Sequence, residues 1–202
     1  MIKILNLYAG IGGNRKLWKG DIEVTAIEIN PLFAKAYQDF FPQDKVIVAD
    51  AHQYLLEHFS EFDFIWSSPP CQSHSRIRKN CLVARGDGNP IFPDMKLYEE
   101  IIFLKHYFKG KFVVENVIGY YEPLIKPQIC GKHFFWSNFN ITQIPKKERA
   151  HNKPIKILQE RKGFDLSKHN LGHRKDQVLH NCTEPELGLH IFNCSEVMVN
   201  GS

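Results

Sequence analysis

Apolar positions along the chain fall into short blocks separated by glycine, proline and polar turns, and the blocks alternate between two periods. Residues 2–7, residues 23–29 with Val24-Thr25-Ala26-Ile27 at their centre, residues 45–49 and the run Phe62-Asp63-Phe64-Ile65-Trp66 are short, rich in β-branched and aromatic residues, and largely apolar. Such runs suit strands covered on both faces, as in a parallel sheet. Helical spacing fills the gaps between them. A short stretch lies at 14–18, a second is opened by Asn30-Pro31 and runs to about Phe41, and a third spans 53–59. A fourth begins after Asp94, a good N-cap, and keeps Leu97, Ile101, Leu104 and Phe108 on one face. Another strand, 111–117, follows it. Strands alternating with helices predict an α/β protein with a doubly wound, Rossmann-like sheet.

Chemistry gathers at the carboxyl ends of these strands. The first feeds Leu7-Tyr8-Ala9-Gly10-Ile11-Gly12-Gly13, a glycine-rich turn that lets backbone approach a ligand closely; no phosphate-gripping lysine follows it as in a P-loop. Glu28 stands between Ile27 and Ile29 at the end of the second, where a doubly wound fold holds ribose hydroxyls. Asp50 ends the third and can accept a hydrogen bond from an adenine amino group. Three strand ends thus converge on a ligand with a ribose and a base. The fourth stops at Ser68-Pro69-Pro70 and delivers Cys71, followed by Gln72, Ser73, His74, Arg76 and Arg78. Proline fixes its own φ and extends the residue before it, so Cys71 is presented stiffly. A lone cysteine is often only a buried thiol, but these polar neighbours are wrong for a core and favour a nucleophile. Glu115, directly after Phe112-Val113-Val114, reaches the same sheet edge and is placed to be its partner.

Composition and charge narrow the setting. With 202 residues and 43% hydrophobic content the chain can bury a full core as one domain with a small appendage. No segment approaches the ~20 apolar residues of a membrane span, and the apolar start is too short for a signal peptide. A soluble, cytoplasmic protein without membrane contact is expected. Five cysteines (71, 81, 130, 182 and 194) are odd in number and lack a C-x-x-C pair, so neither a disulfide framework nor a metal site is indicated. Residues 141–175 carry ten Lys/Arg against three Asp/Glu, or +7, which leaves 4 − 7 = −3 for the remainder. That local excess, including Lys146, Lys147 and Arg149, is a plausible footprint for a nucleic-acid backbone, although charge runs are more often solvated surface.

The motifs together resemble a known family. Asn6-Leu7-Tyr8-Ala9-Gly10-Ile11-Gly12-Gly13, Ser68-Pro69-Pro70-Cys71-Gln72 and Val114-Glu115-Asn116-Val117 are similar, in family order, to the S-adenosylmethionine loop, the nucleophile loop and the Glu-Asn-Val motif of DNA (cytosine-5) methyltransferases. The resemblance implies a class I methyltransferase sheet and S-adenosylmethionine held by residues 7–13, Glu28, Ile29, Asp50 and Pro69. It implies catalysis by Cys71, Glu115 and Asn116 through a covalent adduct with a flipped cytosine. The nucleic acid would be met by Gln72, Ser73, Arg76, Arg78, Lys132, His133, Lys146, Lys147 and Arg149. Lys132-His133-Phe134-Phe135-Trp136-Ser137-Asn138 resembles the strand after the family's arginine motif, with Lys132 and His133 where those arginines stand. Residues 1–140 read as the cofactor-binding catalytic domain and residues 141–202 as a short, basic recognition region, which a protein partner or self-association could complete. No match to the family's last motif is found, and the compact apolar segment 181–192 has no assignment. DNA is the expected acceptor. A tRNA cytosine-5 methyltransferase and a degenerate, non-catalytic binding module remain as alternatives, whereas an amino-methyltransferase would need an acidic or amide residue and an aromatic where Ser68 and Cys71 stand.

Overall fold

The computed structural model describes residues 1–76, 92–144, 154–172 and 174–197. Arg78, Lys146, Lys147 and Arg149 lie outside the described residues. Among the described residues, no helix is long and apolar enough to cross a membrane, and no group of three or more His, Cys, Asp or Glu is placed to hold a metal ion.

Seven strands form one mixed sheet in the order β3-β2-β1-β4-β5-β7-β6. The parallel part comprises β1 (Ile2–Leu7), β2 (Ile22–Ile27), β3 (Lys45–Ile47), β4 (Phe64–Ser67) and β5 (Lys111–Val117). Beyond β5 the chain turns back as an antiparallel pair, β6 (Gln128–Cys130) and β7 (His133–Ser137), joined through Gly131 at φ +61°. Helices α1 (Pro31–Phe40), α2 (Ala51–His58) and α3 (Lys96–Tyr107) provide the crossovers; α4 (Ile155–Lys162), α5 (Lys175–Asn181) and α6 (Pro185–Cys194) close the chain. The strand order reverses direction between β1 and β4, so their carboxyl ends open the crevice where a doubly wound sheet takes its ligand.

Alternation along the central strands divides the core between the two faces. On one, Leu5, Leu7, Ile65 and Val114 meet Leu55 of α2 and Leu97, Ile101 and Leu104 of α3. On the other, Ile4, Val24, Phe64, Trp66 and Val113 meet Trp18 and, from α6, Leu187, Ile191 and Phe192. A parallel sheet needs both faces covered, and the unassigned segment 181–192 turns out to supply this cover. Trp18 stacks on Phe192 with centroids 4.9 Å apart, and its indole Nε1 donates to the Gly188 carbonyl at 3.1 Å. Leu158, Phe164, Leu166, Val178 and Leu179 similarly share a cluster with Ala26, Ala36 and Tyr37.

Residues 14–18 do not form the expected helix but a series of turns. Two side chains pull this segment inward: Asn14 Nδ2 donates to Asn6 Oδ1 at 2.8 Å, and Arg15 forks onto Asp44 at 2.8 and 2.9 Å. Five residues cannot recover the cost of helix nucleation against such anchors. The third strand ends at Ile47 rather than at 49, because Asp50 already caps α2 through Oδ1, which accepts from Gln53 N at 2.9 Å.

Candidate active site

The glycine-rich turn leaves β1 in a conformation few residues adopt. Tyr8 has φ +55°, Gly10 φ +55° and Gly12 φ +86°. A Cβ on Gly12 would sit 2.3 Å from the Phe41 ring, whereas one on Gly10 would meet nothing within 4 Å. The open side at Gly10 leaves backbone accessible to a ligand. Glu28 is 8% exposed and ties this turn to the start of α1: Oε2 accepts from Gly10 N and Oε1 from Asn30 N, both at 2.8 Å. Burial raises its carboxyl above the ordinary value despite those bonds.

Tyr8, Glu28, Ile29, Asp50 and Pro69 all border one cavity of about 160 Å³. Ile29 is 66% exposed there, an apolar surface flanked by acceptors. Each Glu28 oxygen keeps a lone pair beyond its backbone bond, and Asp50 has its second oxygen beyond the cap. An apolar plate with carboxylates at either side fits an adenosine moiety. Ala9, Gly10, Ile11 and Gly13 border a second cavity, of about 310 Å³, with Ser68, Gln72, Gln177, Asn181 and Thr183.

A buried carboxylate that sequence reading passed over underlies the first cavity. Glu100 of α3 is fully buried and accepts from Ser67 Oγ at 2.6 Å and Tyr8 Oη at 2.5 Å, with His52 Nδ1 at 3.1 Å. The bond to Glu100 braces Tyr8 in its positive-φ conformation. Its position between Leu97 and Leu104 on the apolar face of α3 was the available signal.

Cys71 follows β4 in a tight turn closed by His74 N donating to Cys71 O at 3.0 Å. Its thiol is pushed up, first by burial and also by the Glu115 charge, against a lowering backbone bond. Among the described residues, neither His74 nor Arg76 contributes a lowering. His74 is 2% exposed with Nδ1 2.6 Å from Tyr121 Oη, and Arg76 Nε donates to the Gly119 carbonyl at 2.6 Å. His74 is held low by burial. Burial and the Glu115 charge together favour the protonated thiol at rest. Ser73 Oγ accepts from Asp94 N at 3.0 Å, while Gln72 and Lys132 are exposed.

Glu115, near the carboxyl end of β5, is 6% exposed. Oε2 accepts from Ser68 Oγ at 2.9 Å and from Thr183 Oγ1 at 3.0 Å. Its other oxygen lies 2.8 Å from His133 Nδ1, an ion-pair distance at an angle off the hydrogen-bond line. Burial would raise this carboxyl, but the His133 charge and the hydroxyl bonds outweigh it and the net shift is downward. His133 shifts upward: burial opposes its charge, and Glu115 overcomes that penalty. Asn116 Nδ2 donates to the Pro69 carbonyl at 3.1 Å, tying the end of β5 to the Cys71 loop. Thr183 had no local signal in the sequence. Its backbone passes the glycine-rich turn so closely that a Cβ on Gly13 would lie 2.4 Å from its carbonyl oxygen.

Comparison with known proteins matches residues 2–123 to the family model of C-5 cytosine-specific DNA methylases. A tRNA (cytosine(38)-C(5))-methyltransferase of Homo sapiens is 28% identical over 125 residues, 59% of this chain and 31% of that protein. The enzyme of the same name from Spodoptera frugiperda is 36% identical over 84 residues, 38% of this chain and 25% of its own. The matched regions thus span about a third or less of these relatives. A solved structure of a Spodoptera frugiperda DNMT2 mutant is 28% identical with a TM-score of 0.41, covering 59% of this chain and 37% of that one. The Entamoeba histolytica methyltransferase EhMeth is 14% identical with a TM-score of 0.44, covering 80% and 65%. With its three motifs inside the matched residues and their strand ends gathered at one crevice, this chain belongs to the C-5 cytosine-specific methyltransferase family.

Proposed function

We propose that the chain methylates carbon 5 of cytosine in DNA, with Cys71 as nucleophile and Glu115 as the group that holds the pyrimidine. The observation that carries this reading is the meeting of two neighbouring strand ends: Ser68 of the Ser-Pro-Pro-Cys loop donates to Glu115, and Asn116 holds the Pro69 carbonyl. Cys71 and the carboxylate are thus locked into one unit before any substrate arrives, which is how a protein lowers the entropic cost of bringing reacting groups together.

S-adenosylmethionine, the family's cofactor, supplies an electrophilic methyl group. Glu28, Asp50, Ile29 and the turn at Gly10 would hold its adenosine portion. Carbon 5 of cytosine is itself a poor nucleophile. Addition of the Cys71 thiolate at carbon 6 makes carbon 5 enamine-like, and elimination of Cys71 with the carbon-5 proton restores the aromatic ring. Glu115, bonded to the ring nitrogen and exocyclic amine, stabilises the charge that develops there. Asn116 positions the nucleophile loop rather than touching the base. Flipping the base out of a duplex costs on the order of a few kcal/mol, which contacts to the nucleic acid must offset.

The names of the relatives favour one second reading, with a tRNA cytosine as acceptor. Both readings meet in one experiment. An oligonucleotide containing 5-fluorocytosine cannot lose fluorine as a proton is lost, so with S-adenosylmethionine it should trap a covalent adduct visible on a denaturing gel. Cys71→Ser should abolish that band. A fluorinated RNA in place of the DNA decides the acceptor. The reading fails if neither nucleic acid is trapped while S-adenosylhomocysteine still raises the melting temperature by a Glu28-dependent shift.

A further inference from the structure

The Glu115 carboxylate is paired with a side chain that can release a proton. His133 enters from β7 on the diagonal of the β5–β7 pair, Glu115 lying opposite Phe135 and His133 opposite Val117. Its Nδ1 is 2.8 Å from Glu115 Oε1, and 28% of the side chain remains exposed against 8% of its partner's. The two hydroxyls of Ser68 and Thr183 occupy the other oxygen, so the base must meet a carboxylate already held from three sides.

We propose that His133 is the positioning residue that stores the proton Glu115 delivers to the target base. The inference rests on the reading above, with Cys71 and Glu115 acting on cytosine. Once the Cys71 thiol has released its proton to solvent, the thiolate sulfur bonds to carbon 6 and the electron pair of the 5,6 double bond moves into the ring. The imidazolium, after a small rotation of its half-buried ring onto the line, gives its Nδ1 proton to Oε1 of the ionised Glu115, and the carboxylic acid so formed passes that same proton on to nitrogen 3. One proton has then moved from His133 to nitrogen 3, and the carboxylate is unchanged. On elimination of Cys71, nitrogen 3 returns the proton along the same path and His133 is recharged.

The charges that face His133 shift it upward on balance and so favour a ring that carries the proton. Glu115 on β5 and Glu184, just before α6, favour the charged ring; Lys162 of α4 opposes it, and burial opposes it more. Lys162 is itself engaged, with Nζ 3.5 Å from Glu184 Oε1 and bonded to the Cys182 carbonyl, so part of its field is neutralised. An arginine at this position would hold the carboxylate but could not release a proton at any working pH. That difference supplies the test.

Single-turnover methylation is measured against pH for wild type, His133→Arg and His133→Gln, after the fluorocytosine trap has identified an accepted oligonucleotide and S-adenosylhomocysteine has shown that each variant binds cofactor. The thiol of Cys71 is protonated at rest, so the rate first climbs with pH in every form. In wild type the climb should level off where His133 loses its proton. In His133→Arg the logarithm of the rate should keep rising with unit slope until the thiol is ionised, from a starting value roughly 10²-fold lower on the acid side. His133→Gln should show the same lost plateau and a similar loss of rate, with KM for the oligonucleotide within about threefold of wild type if the loss is in proton delivery. An arginine variant that matches wild type in both rate and plateau overturns the proposal while leaving Cys71 catalysis standing. Failure of wild type to form any adduct on DNA or RNA overturns the catalytic reading itself, and the proposal with it.

Discussion

Gly188→Ala is the sharpest probe of how the C-terminal helix is attached, because helix propensity and packing predict opposite signs. Gly188 lies within α6, where replacing glycine by alanine ordinarily stabilises by about 1 kcal/mol. Here the added Cβ would fall 2.3 Å from the Asn14 carbonyl oxygen, 2.6 Å from its Cα and 2.8 Å from its carbonyl carbon. All three are backbone atoms of a segment pinned by the Asn14–Asn6 and Arg15–Asp44 contacts. Carbon atoms rest at about 3.5 to 4 Å, so α6 would have to retreat by about 1 Å. The retreat would disturb the Trp18–Phe192 stack and the Trp18 bond to the Gly188 carbonyl. Overpacking of this kind costs about 1–3 kcal/mol, and a weakened buried hydrogen bond adds about 1 kcal/mol. Set against the propensity gain, the net expectation is a loss of about 1–3 kcal/mol. For a chain of this size that lowers the melting midpoint by roughly 2 to 12 °C. Urea denaturation should show a lower midpoint with an unchanged slope. A variant as stable as wild type, or more stable by the propensity increment, would mean that α6 does not pack on the Asn14 turn as described.

Two further outcomes follow from buried charges. Arg15→Leu should cost about 3–5 kcal/mol in urea denaturation, because Asp44, 5% exposed, would keep only the Tyr37 hydroxyl at 2.9 Å; Asp44→Asn in the same chain should recover part of that loss, and additive effects would contradict the pairing. The His133–Glu115 pair should leave a pH signature in stability: the raised His133 stabilises below its ordinary value of 6.5 and loses its contribution as pH rises through the raised value. The lowered Glu115 stabilises above its ordinary 4.5 and loses its contribution as pH falls through the lowered value. The melting-point gap between wild type and His133→Gln should therefore be widest between those two ordinary values and shrink at pH 9; a gap independent of pH would deny the ion pair.

Local pattern was enough to read the parallel half of the sheet. Its strands are apolar on both faces, so neither register nor partner had to be known to recognise them, and the acids at their ends stand out against the apolar blocks. The same reasoning failed where long-range contacts decide the local shape. Residues 14–18 have helical spacing, yet Asn14 and Arg15 are drawn into buried contacts with Asn6 and Asp44, 8 and 29 residues away, and turns result. The segment 181–192 reads as an isolated apolar patch until the second face of the sheet, which it covers together with Trp18, Ile141 and Val197, is seen to require it.

The site divides along the same line. Cys71 and Glu115 are legible because each lies near the carboxyl end of a strand, and strand ends in a doubly wound sheet share an edge. What tunes them is not legible, since it arrives from elements that have no pattern relation to either. Thr183 reaches Glu115 across 68 residues and Glu100 reaches Tyr8 across 92. The polar residues after Cys71 are likewise set by distant contacts: the turn aims His74 at Tyr121 and Arg76 at Gly119. His133 is the most instructive position. Its neighbour Lys132, in the turn before β7, is exposed, whereas His133, the first residue of β7, meets the buried Glu115 carboxylate. A single step from turn into strand thus separates a solvent-facing lysine from a histidine paired with a buried carboxylate.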